Sequence, residues 1–244
     1  MDKGNNIIVS SDVSAPDALQ VLVRWEISDI GPDGQPKTYV AEAGIPLTEA
    51  ARLACYRLRF LLLSQRVSMD RDYPDGLVRD DYDAHSHLFL ARIGQEIIGT
   101  TRIIPCECGF PMENEKEVIL PNGDYWTFPD KHPTTGVPIK RNETVEGSRF
   151  VGRPYLLPSG NAIWTSFLLL DAVENIYLQQ IFRRKYVVAL TTLNQYNLLQ
   201  HYGFSCIPIG EPQLFQGAMS QAGFGEVTDK VCPRILFKHM RKQT

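Results

Sequence analysis

Charged residues that interrupt apolar segments give the first sign of chemistry in this chain of 244 residues. Asp80 and Asp83 come just before one predicted strand, and Arg102 lies on the strand that follows it. Glu146 and Arg149 interrupt a third, apolar strand. A carboxylate or a guanidinium within a core strand is costly unless it is paired, so these groups should pair with one another or line a cleft. In a cleft, a carboxylate can accept a proton and an arginine can bind a carboxylate.

A structural ion-pair network would explain the same residues without any catalysis. Such a network would link the charged groups of several elements and leave no group for a substrate. Its members would be Arg59, Asp80, Asp83, Arg102, Glu146 and Arg149. Residue type alone leaves both interpretations open.

The hydrophobic pattern predicts an α/β chain. Helices are predicted over 48–65, 161–184 and 193–203. Strands are predicted over 21–27, 37–41, 87–93, 96–104, 144–151, 186–192, 204–209 and 234–239. A β-hairpin that leads into strand–helix–strand–helix–strand implies a mixed sheet with helices on both faces.

The domain organisation follows from where this pattern fails. Residues 1–20 are polar and without period, which predicts a flexible lead before a single domain over 21–244. Residues 105–142 contain many prolines and no sustained period, which predicts a long structureless insertion. A stretch of that length inside a compact domain is usually functional or disordered.

Composition excludes several classes of function. The net charge of −3 and the pI of about 6.0 argue against a nucleic-acid-binding protein. No apolar run reaches the length of a membrane span, and the first residues lack the apolar stretch of a signal peptide. The five cysteines include one close pair, Cys106 and Cys108, without a zinc-site pattern. We therefore expect a cytoplasmic protein without a metal ion.

The order and spacing of the charged residues resemble the signature of the acyl-homoserine-lactone (autoinducer) synthases. The matching motifs are Arg59, Asp80-x-x-Asp83, Gly99-Thr-Thr-Arg102 and Glu146-Gly-Ser-Arg149-Phe150. They lie within a similarity that runs from about residue 53 to residue 209. The resemblance implies a GNAT-like fold, with a mixed, mostly antiparallel sheet and a V-shaped splay between two strands. It also implies an acyltransferase that takes a fatty acyl group from a thioester.

Two positions depart from that signature. Leu63 and Met69 stand where the lactone synthases carry a phenylalanine and a tryptophan. The segment 72–86 is instead similar to the N-acyl amino acid synthases and the exosortase-associated acyltransferases. We therefore expect an amino acid or a related amine as the acceptor. The alternatives are lactone synthesis from S-adenosylmethionine and a non-catalytic module that binds an acyl chain or a partner.

The predicted site combines catalytic and substrate-binding residues. An α-ammonium group with a pKa of about 8 must lose a proton before it attacks a thioester, and Glu146 is the predicted base. Arg102 and Ser148 complete the predicted catalytic set. The predicted substrate-binding residues, which include an arginine for the acceptor's carboxylate and an apolar lining for the acyl chain, are Arg59, Asp80, Asp83, Arg149, Phe150, Trp164 and Phe167. The three aromatic residues have plain core packing as their alternative.

The segment after the strand predicted over 144–151 bears on the identity of the acyl donor. Residues 152–160 do not have the glycine spacing that cradles the pyrophosphate of coenzyme A in GNAT enzymes. This favours an acyl-phosphopantetheine thioester on acyl carrier protein, with coenzyme A as the second choice and no permanently bound cofactor. Arg153 and the basic run 183–185 would offer a dock for the acidic carrier protein. The run would equally suit the C-terminus of a helix.

One geometric conflict predicts a local irregularity. Side chains alternate along a strand, so Glu146 and Arg149, three residues apart, should face opposite ways. A β-bulge near Gly147 would bring them to one side.

Overall fold

A computed structural model describes residues 19–65, 72–107, 111–201, 204, 206–215 and 218–227 of the chain. The helices are α1 (Glu49–Leu63), α2 (Glu113–Glu117), α3 (Thr165–Leu170), a π-helix (Asp171–Ile181) that continues α3, and α4 (Leu193–His201). The strands are β1 (Leu19–Ile30), β2 (Pro36–Pro46), β3 (His87–Ile93), β4 (Glu96–Pro105), β5 (Thr144–Gly152), β6 (Tyr155–Leu156), β7 (Ala162–Ile163), β8 (Tyr186–Thr192), β9 (Cys206–Phe215) and β10 (Ala218–Glu226).

Eight strands form one sheet in the order β1-β2-β3-β4-β5-β8-β10-β9. Every neighbouring pair is antiparallel except β5 and β8, which run parallel. The expected mixed, mostly antiparallel sheet is therefore confirmed.

The parallel pair β5–β8 opens into a splay. The two strands pair from Thr144 with Tyr186 to Gly147 with Ala189, and no pairing of these strands continues beyond that point in the described residues. The second half of β5 stays paired with β4, while β8 stays paired with β10. The sheet is thus split at its centre, which is the predicted V-shaped opening.

A β-bulge lies in β5 at the mouth of this splay. Thr100 pairs with Val151 and Arg102 pairs with Ser148, so two residues of β5 face one of β4. Arg149, one of the two, has a φ of 52°. The predicted bulge is therefore present, and it lies two residues beyond Gly147. Gly147 keeps regular partners on both sides, and the extra residue enters where β5 leaves β8.

Helix α1 begins as its sequence predicts. Thr48 caps it, with Oγ1 accepting a hydrogen bond from the Ala51 N–H at 3.2 Å, and Glu49 lies in the positive first turn. Its buried face recurs at helical spacing and packs on the sheet. Arg59 lies on that face and is fully buried, which carries its guanidinium under the sheet.

The predicted long helix starts later than expected. Residues 162–163 pair with 155–156 as the small β6–β7 hairpin, so helical structure begins only at Thr165. From Asp171 the turns widen to π-helical geometry, with the Phe182 N–H donating to the Tyr177 carbonyl at 2.7 Å. Leu168 and Leu169 are fully buried in the main core beneath the sheet.

Three other expectations on the fold need correction or fall outside the described residues. Leu19 and Gln20 pair within β1 and do not belong to a lead. Strand β10 was not predicted, and the strand predicted over 234–239 lies outside the described residues. None of the helices in the described part of the chain is long and apolar enough to cross a membrane.

The segment 105–142 is packed where it is described, which corrects the prediction of a structureless insertion. It contains α2 and a short 3₁₀ turn (Arg141–Glu143). Met112, Val118 and Trp126 are buried with Val188 and Phe224 in a second hydrophobic core. The segment thereby closes one face of the sheet beside β8 and β10.

Candidate active site

A capped turn fixes the two predicted aspartates. The 3₁₀ turn Asp81–His85 starts after Asp80, whose Oδ1 accepts a hydrogen bond from the Tyr82 N–H at 3.0 Å. Asp83 Oδ2 accepts from the Asp80 N–H at 3.0 Å, which completes a reciprocal capping box. The D-x-x-D spacing therefore sets both carboxylates on one side of the turn, facing the sheet.

Arg102 on β4 receives both carboxylates. Its Nη1 lies 2.5 Å from Asp80 Oδ1 and 3.1 Å from Asp83 Oδ2, and its Nη2 lies 3.0 Å from Asp80 Oδ2. Its Nε donates to Ser148 Oγ at 2.8 Å. The guanidinium is fully buried, and these carboxylates raise its pKa even though burial opposes that shift.

Two further arginines join this cluster. Arg59 Nη1 lies 2.7 Å from Asp83 Oδ1, and its guanidinium lies 5.2 Å from the ring centre of Tyr56. Arg149 Nη2 lies 3.2 Å from Asp80 Oδ2. Burial pushes the pKa of Asp80 upward, but the hydrogen bonds and charges of Arg102 and Arg149 outweigh it and lower the pKa to about 2. Asp80 is therefore ionised throughout the neutral range.

Glu146 is held by helix α2. Its Oε2 accepts from the Glu113 N–H at 2.6 Å, and its Oε1 accepts from the Asn114 N–H at 2.7 Å. The carboxyl group is almost completely buried. Burial, followed by the charge of Glu113, raises its pKa to about 8, while the two backbone N–H groups and Arg102 act in the opposite direction. Glu146 therefore carries a proton over most of the neutral range.

Glu113 is the cluster residue that the sequence did not predict. Its Oε2 lies 3.3 Å from Arg102 Nη2, and its Oε1 lies 3.0 Å from Arg149 Nη2. It lies 33 positions before Glu146, inside the segment that lacked periodicity. The signal available was an acidic residue in the first turn of a short helical stretch, and that signal does not tell which strand the helix meets.

An apolar cavity of about 190 Å³ occupies the splay between β5 and β8. Its walls include Ile103, Phe150, Val187, Ala189 and Leu199. Ser148 and Arg149 supply polar groups to the same cavity. The charged cluster and the apolar cavity thus share two residues of β5.

Comparison with solved structures identifies this arrangement of strands. LasI, an acyl-homoserine lactone synthase, matches with a TM-score of 0.59 and 17% identity over 79% of this chain and 92% of that chain. BjaI, a CoA-dependent acyl-homoserine lactone synthase with MTA bound, matches at 0.57 and 22% over 79% and 83%. MesI, also CoA-dependent, matches at 0.52 and 18% over 72% and 80%.

The chain has the fold of the acyl-homoserine lactone synthases. The GNAT-like architecture expected from the sequence is thereby confirmed. No protein-family model matches the chain, and no curated protein matches it.

Within this synthase fold, the predicted polar residues come together. Arg59, Asp80, Asp83, Arg102, Ser148 and Arg149 form one connected set of ion pairs and hydrogen bonds. Glu146 joins through Glu113, whose backbone N–H it binds. Glu146 is not among the described residues that line the cavity, because α2 covers its carboxyl group.

Two of the three predicted aromatic residues are elsewhere in the synthase fold. Phe150 lines the cavity as expected. Trp164 immediately precedes α3 and is half-exposed, and Phe167 packs into the body of the protein; neither is among the described lining residues. A role for these two residues in binding the acyl chain stays a prediction.

Leu63 and Met69 have different outcomes. Leu63, where the lactone synthases keep an aromatic residue, lines the cavity. Met69 lies outside the described residues. The position at which this sequence differs from the lactone synthases therefore lies in the wall of the cavity.

The predicted basic dock is partly used in internal pairs. Arg153 pairs with Glu96, and Arg184 pairs with Glu107 beside the ring of Phe182. Lys185 Nζ lies 2.8 Å from Glu143 Oε1 but is still largely exposed, and Arg183 is exposed. The exposed cations of the run are thus Arg183 and Lys185.

Proposed function

We propose that this protein is an N-acyltransferase that moves a fatty acyl group from a thioester to the amine of an amino acid. The amine nitrogen attacks the thioester carbonyl carbon and the C–S bond breaks. The carrier thiol then leaves with the proton that the amine gives up. An amide bond is formed without any oxidant or reductant.

One observation carries this proposal: the splay opens an apolar cavity, and its lining includes Ser148 and Arg149 of the arginine cluster. An acyl chain suits the apolar walls, because burial of each methylene stabilises binding by about 0.8 kcal/mol. A thioester at the polar side of the cavity would lie beside the guanidinium groups that suit an acceptor's carboxylate.

Glu146 is our proposed base, with Arg102 and Ser148 positioning the reacting groups. A carboxyl with a pKa of about 8 matches an α-ammonium group with a pKa of about 8, so a proton can pass between them with little driving force either way. The ionised form of Glu146, which is the minor form at neutral pH, would accept the proton that the amine gives up.

We propose acyl carrier protein as the donor. The segment 152–160 lacks the glycine spacing of a pyrophosphate cradle, and exposed Arg183 and Lys185 offer cations to an acidic partner. Coenzyme A is the second donor to test, because BjaI and MesI are CoA-dependent.

Synthesis of an acyl-homoserine lactone from S-adenosylmethionine is the second candidate function. It is favoured by the structural neighbours, one of which was solved with SAM and isopentyl-CoA. The leucine at position 63 weighs against it, since the lactone synthases carry an aromatic residue there.

The test is in vitro acyl transfer with release of free thiol as the readout. Purified protein would be given dodecanoyl-carrier protein or dodecanoyl-coenzyme A, with each amino acid and with S-adenosylmethionine, and the products identified by mass spectrometry. We expect an N-dodecanoyl amino acid, while a lactone would establish the second candidate. Absence of thiol release with every pair would refute the enzyme, and acyl-chain binding alone would then indicate a non-catalytic module.

A matched pair of arginine variants controls this assay. Arg149→Gln removes a guanidinium from the cavity, and Arg79→Gln removes an exposed one that pairs with Asp75. We expect transfer to fall on the order of 10²-fold or more in the first variant only, because a hydrogen-bonded charge is lost from the site. Equal activity of the two variants would contradict the placement of the acceptor.

A further inference from the structure

Helix α2 inserts a carboxylate of the chain itself between two arginines of the site. Glu113 lies 3.3 Å from Arg102 Nη2 and 3.0 Å from Arg149 Nη2, and its side chain is 16% exposed. It is not part of the sheet and reaches the arginines from the covering segment 105–142.

The charges of the cluster balance only when a third carboxylate is present. Arg59, Arg102 and Arg149 contribute three positive charges, and Asp80 and Asp83 contribute two negative ones. Glu146 is bound by two backbone N–H groups of α2 and forms no hydrogen bond or ion pair with these arginines. An uncompensated buried charge is strongly destabilising, so this site requires one more carboxylate from some source.

Glu113 meets that requirement imperfectly. It contacts one Nη atom of each guanidinium and does not form the two-point pair that a carboxylate and an arginine prefer. Nε of Arg149 is buried and has no hydrogen-bond partner among the described residues. A small molecule with a free carboxylate could bind Nε and Nη2 together, which is the two-point pair that Glu113 does not form.

Helix α2 is anchored on both sides of Glu113. The helix has five residues, and its first two N–H groups bind Glu146. The Pro111 carbonyl accepts a hydrogen bond from Tyr82 at 3.0 Å, and Lys116 lies over the same ring. Met112 and Val118, which flank the helix, are buried in the second core, so the helix stays in place and only the Glu113 side chain is displaced.

We propose that Glu113 occupies the subsite for the acceptor's carboxylate, and that an acceptor with a free carboxylate binds by displacing it. This proposal rests on the proposed function, in which the acceptor is the amine that receives the acyl group. It assigns the substrate class as amines that carry a free carboxylate, and it excludes the corresponding esters and amides.

The test measures binding of a charged probe and its neutral counterpart to the full chain. N-Dodecanoylglycine and its methyl ester would be titrated by calorimetry into the unchanged protein, Glu113→Gln and Glu117→Gln. Glutamine keeps the backbone N–H that binds Glu146 and removes only the competing charge, and Glu117 is an exposed glutamate on the same helix. We expect Glu113→Gln to bind the acid about tenfold tighter or more, with the ester and the Glu117 variant unchanged.

Several outcomes would overturn the proposal. They are an equal gain of affinity for the acid and the ester in Glu113→Gln, no gain for either, or a loss of affinity for the acid. If Glu113→Gln does not fold, Glu113→Asp keeps the charge at a shorter reach, and the same selective gain for the acid is expected from it. Because the readout is binding, a protein that never releases thiol can still pass this test. A protein that turns over but shows no acid-selective gain fails it.

Discussion

Arg102 holds both carboxylate oxygens of Asp80, with Nη1 2.5 Å from Oδ1 and Nη2 3.0 Å from Oδ2. The pair is buried and joins β4 to the turn before β3, two elements that the sheet alone does not connect at this point. Arg149 shares the same aspartate. Asp80 is therefore the anion on which two of the three arginines depend.

Replacement of Asp80 by Asn should destabilise the protein strongly. The change removes one negative charge and leaves two buried guanidinium groups undercompensated, for which we expect a loss of about 3–5 kcal/mol in the free energy of unfolding. Urea denaturation at neutral pH measures this. Asp75→Asn, which breaks an exposed pair with Arg79, should cost no more than about 1 kcal/mol, and similar costs at both sites would contradict the burial argument.

Stability should depend on pH through Glu146. Its folded-state pKa of about 8 lies above the ordinary value of 4.5, so the folded state holds a proton that the unfolded state releases over that range. Stability from this group is complete below pH 4.5 and is lost as the pH rises toward 8. The Glu146→Gln variant cannot ionise at this position. As the pH rises through this window, its free energy of unfolding should therefore increase relative to that of the unchanged protein by up to about 1.4 kcal/mol per pH unit. Denaturation series from pH 5 to pH 8 measure the difference, and a constant difference would indicate an ionised Glu146.

The backbone at Arg149 favours glycine. With a φ of 52° it occupies the left-handed region, which costs a residue with a Cβ about 1–2 kcal/mol. Arg149→Gly should therefore be more stable than Arg149→Ala by about 1 kcal/mol. Arg24, an exposed residue of β1, should show the opposite order, because glycine weakens an extended strand. Thermal unfolding of the four variants measures these differences. If the alanine variant is the more stable one at both positions, the result would contradict the bulge.

A larger side chain at Ala189 should shorten the acyl chain that the protein accepts. Ala189 faces Gly147 across the last pair of β5 and β8 and lines the cavity. Phenylalanine there would fill space that a long chain needs, so we expect transfer or binding of dodecanoyl substrates to fall tenfold or more, as about two lost methylene contacts would produce. Butyryl substrates should be unaffected.

The control for this change is Leu214→Phe, on the exposed edge of β9. It should leave both chain lengths unchanged. Equal losses for dodecanoyl and butyryl substrates in Ala189→Phe would show that the cavity does not hold the chain.

Much of the site could be predicted because burying its charged residues in apolar segments costs free energy. A carboxylate such as Glu146 in an apolar strand is conspicuous in a sequence, and so is a capped D-x-x-D turn. Helix α1 likewise follows from local features, the Thr48 cap and the apolar spacing. These signals come from neighbouring residues and need no knowledge of the fold.

The partners of those residues could not be predicted in the same way. Glu113 meets the arginines only because the segment 105–142 folds across the sheet, and its own neighbours in sequence carry no trace of that contact. The bulge lies at Arg149 and Phe150, two residues beyond Gly147, because its exact place depends on where β5 separates from β8. Trp164 lies outside α3 because the β6–β7 hairpin delays the start of helical structure to Thr165.

The sequence by itself determined which charged groups must be compensated and that an apolar strand would carry two of them. Only the tertiary structure decided that Glu146 binds the end of α2, that Glu113 fills the arginine pair, and that the cavity opens beside Ser148. The physical reason is that the cost of burying a charge depends on the residue itself and can be seen in the sequence. The group that compensates the charge is determined by contacts between distant parts of the chain.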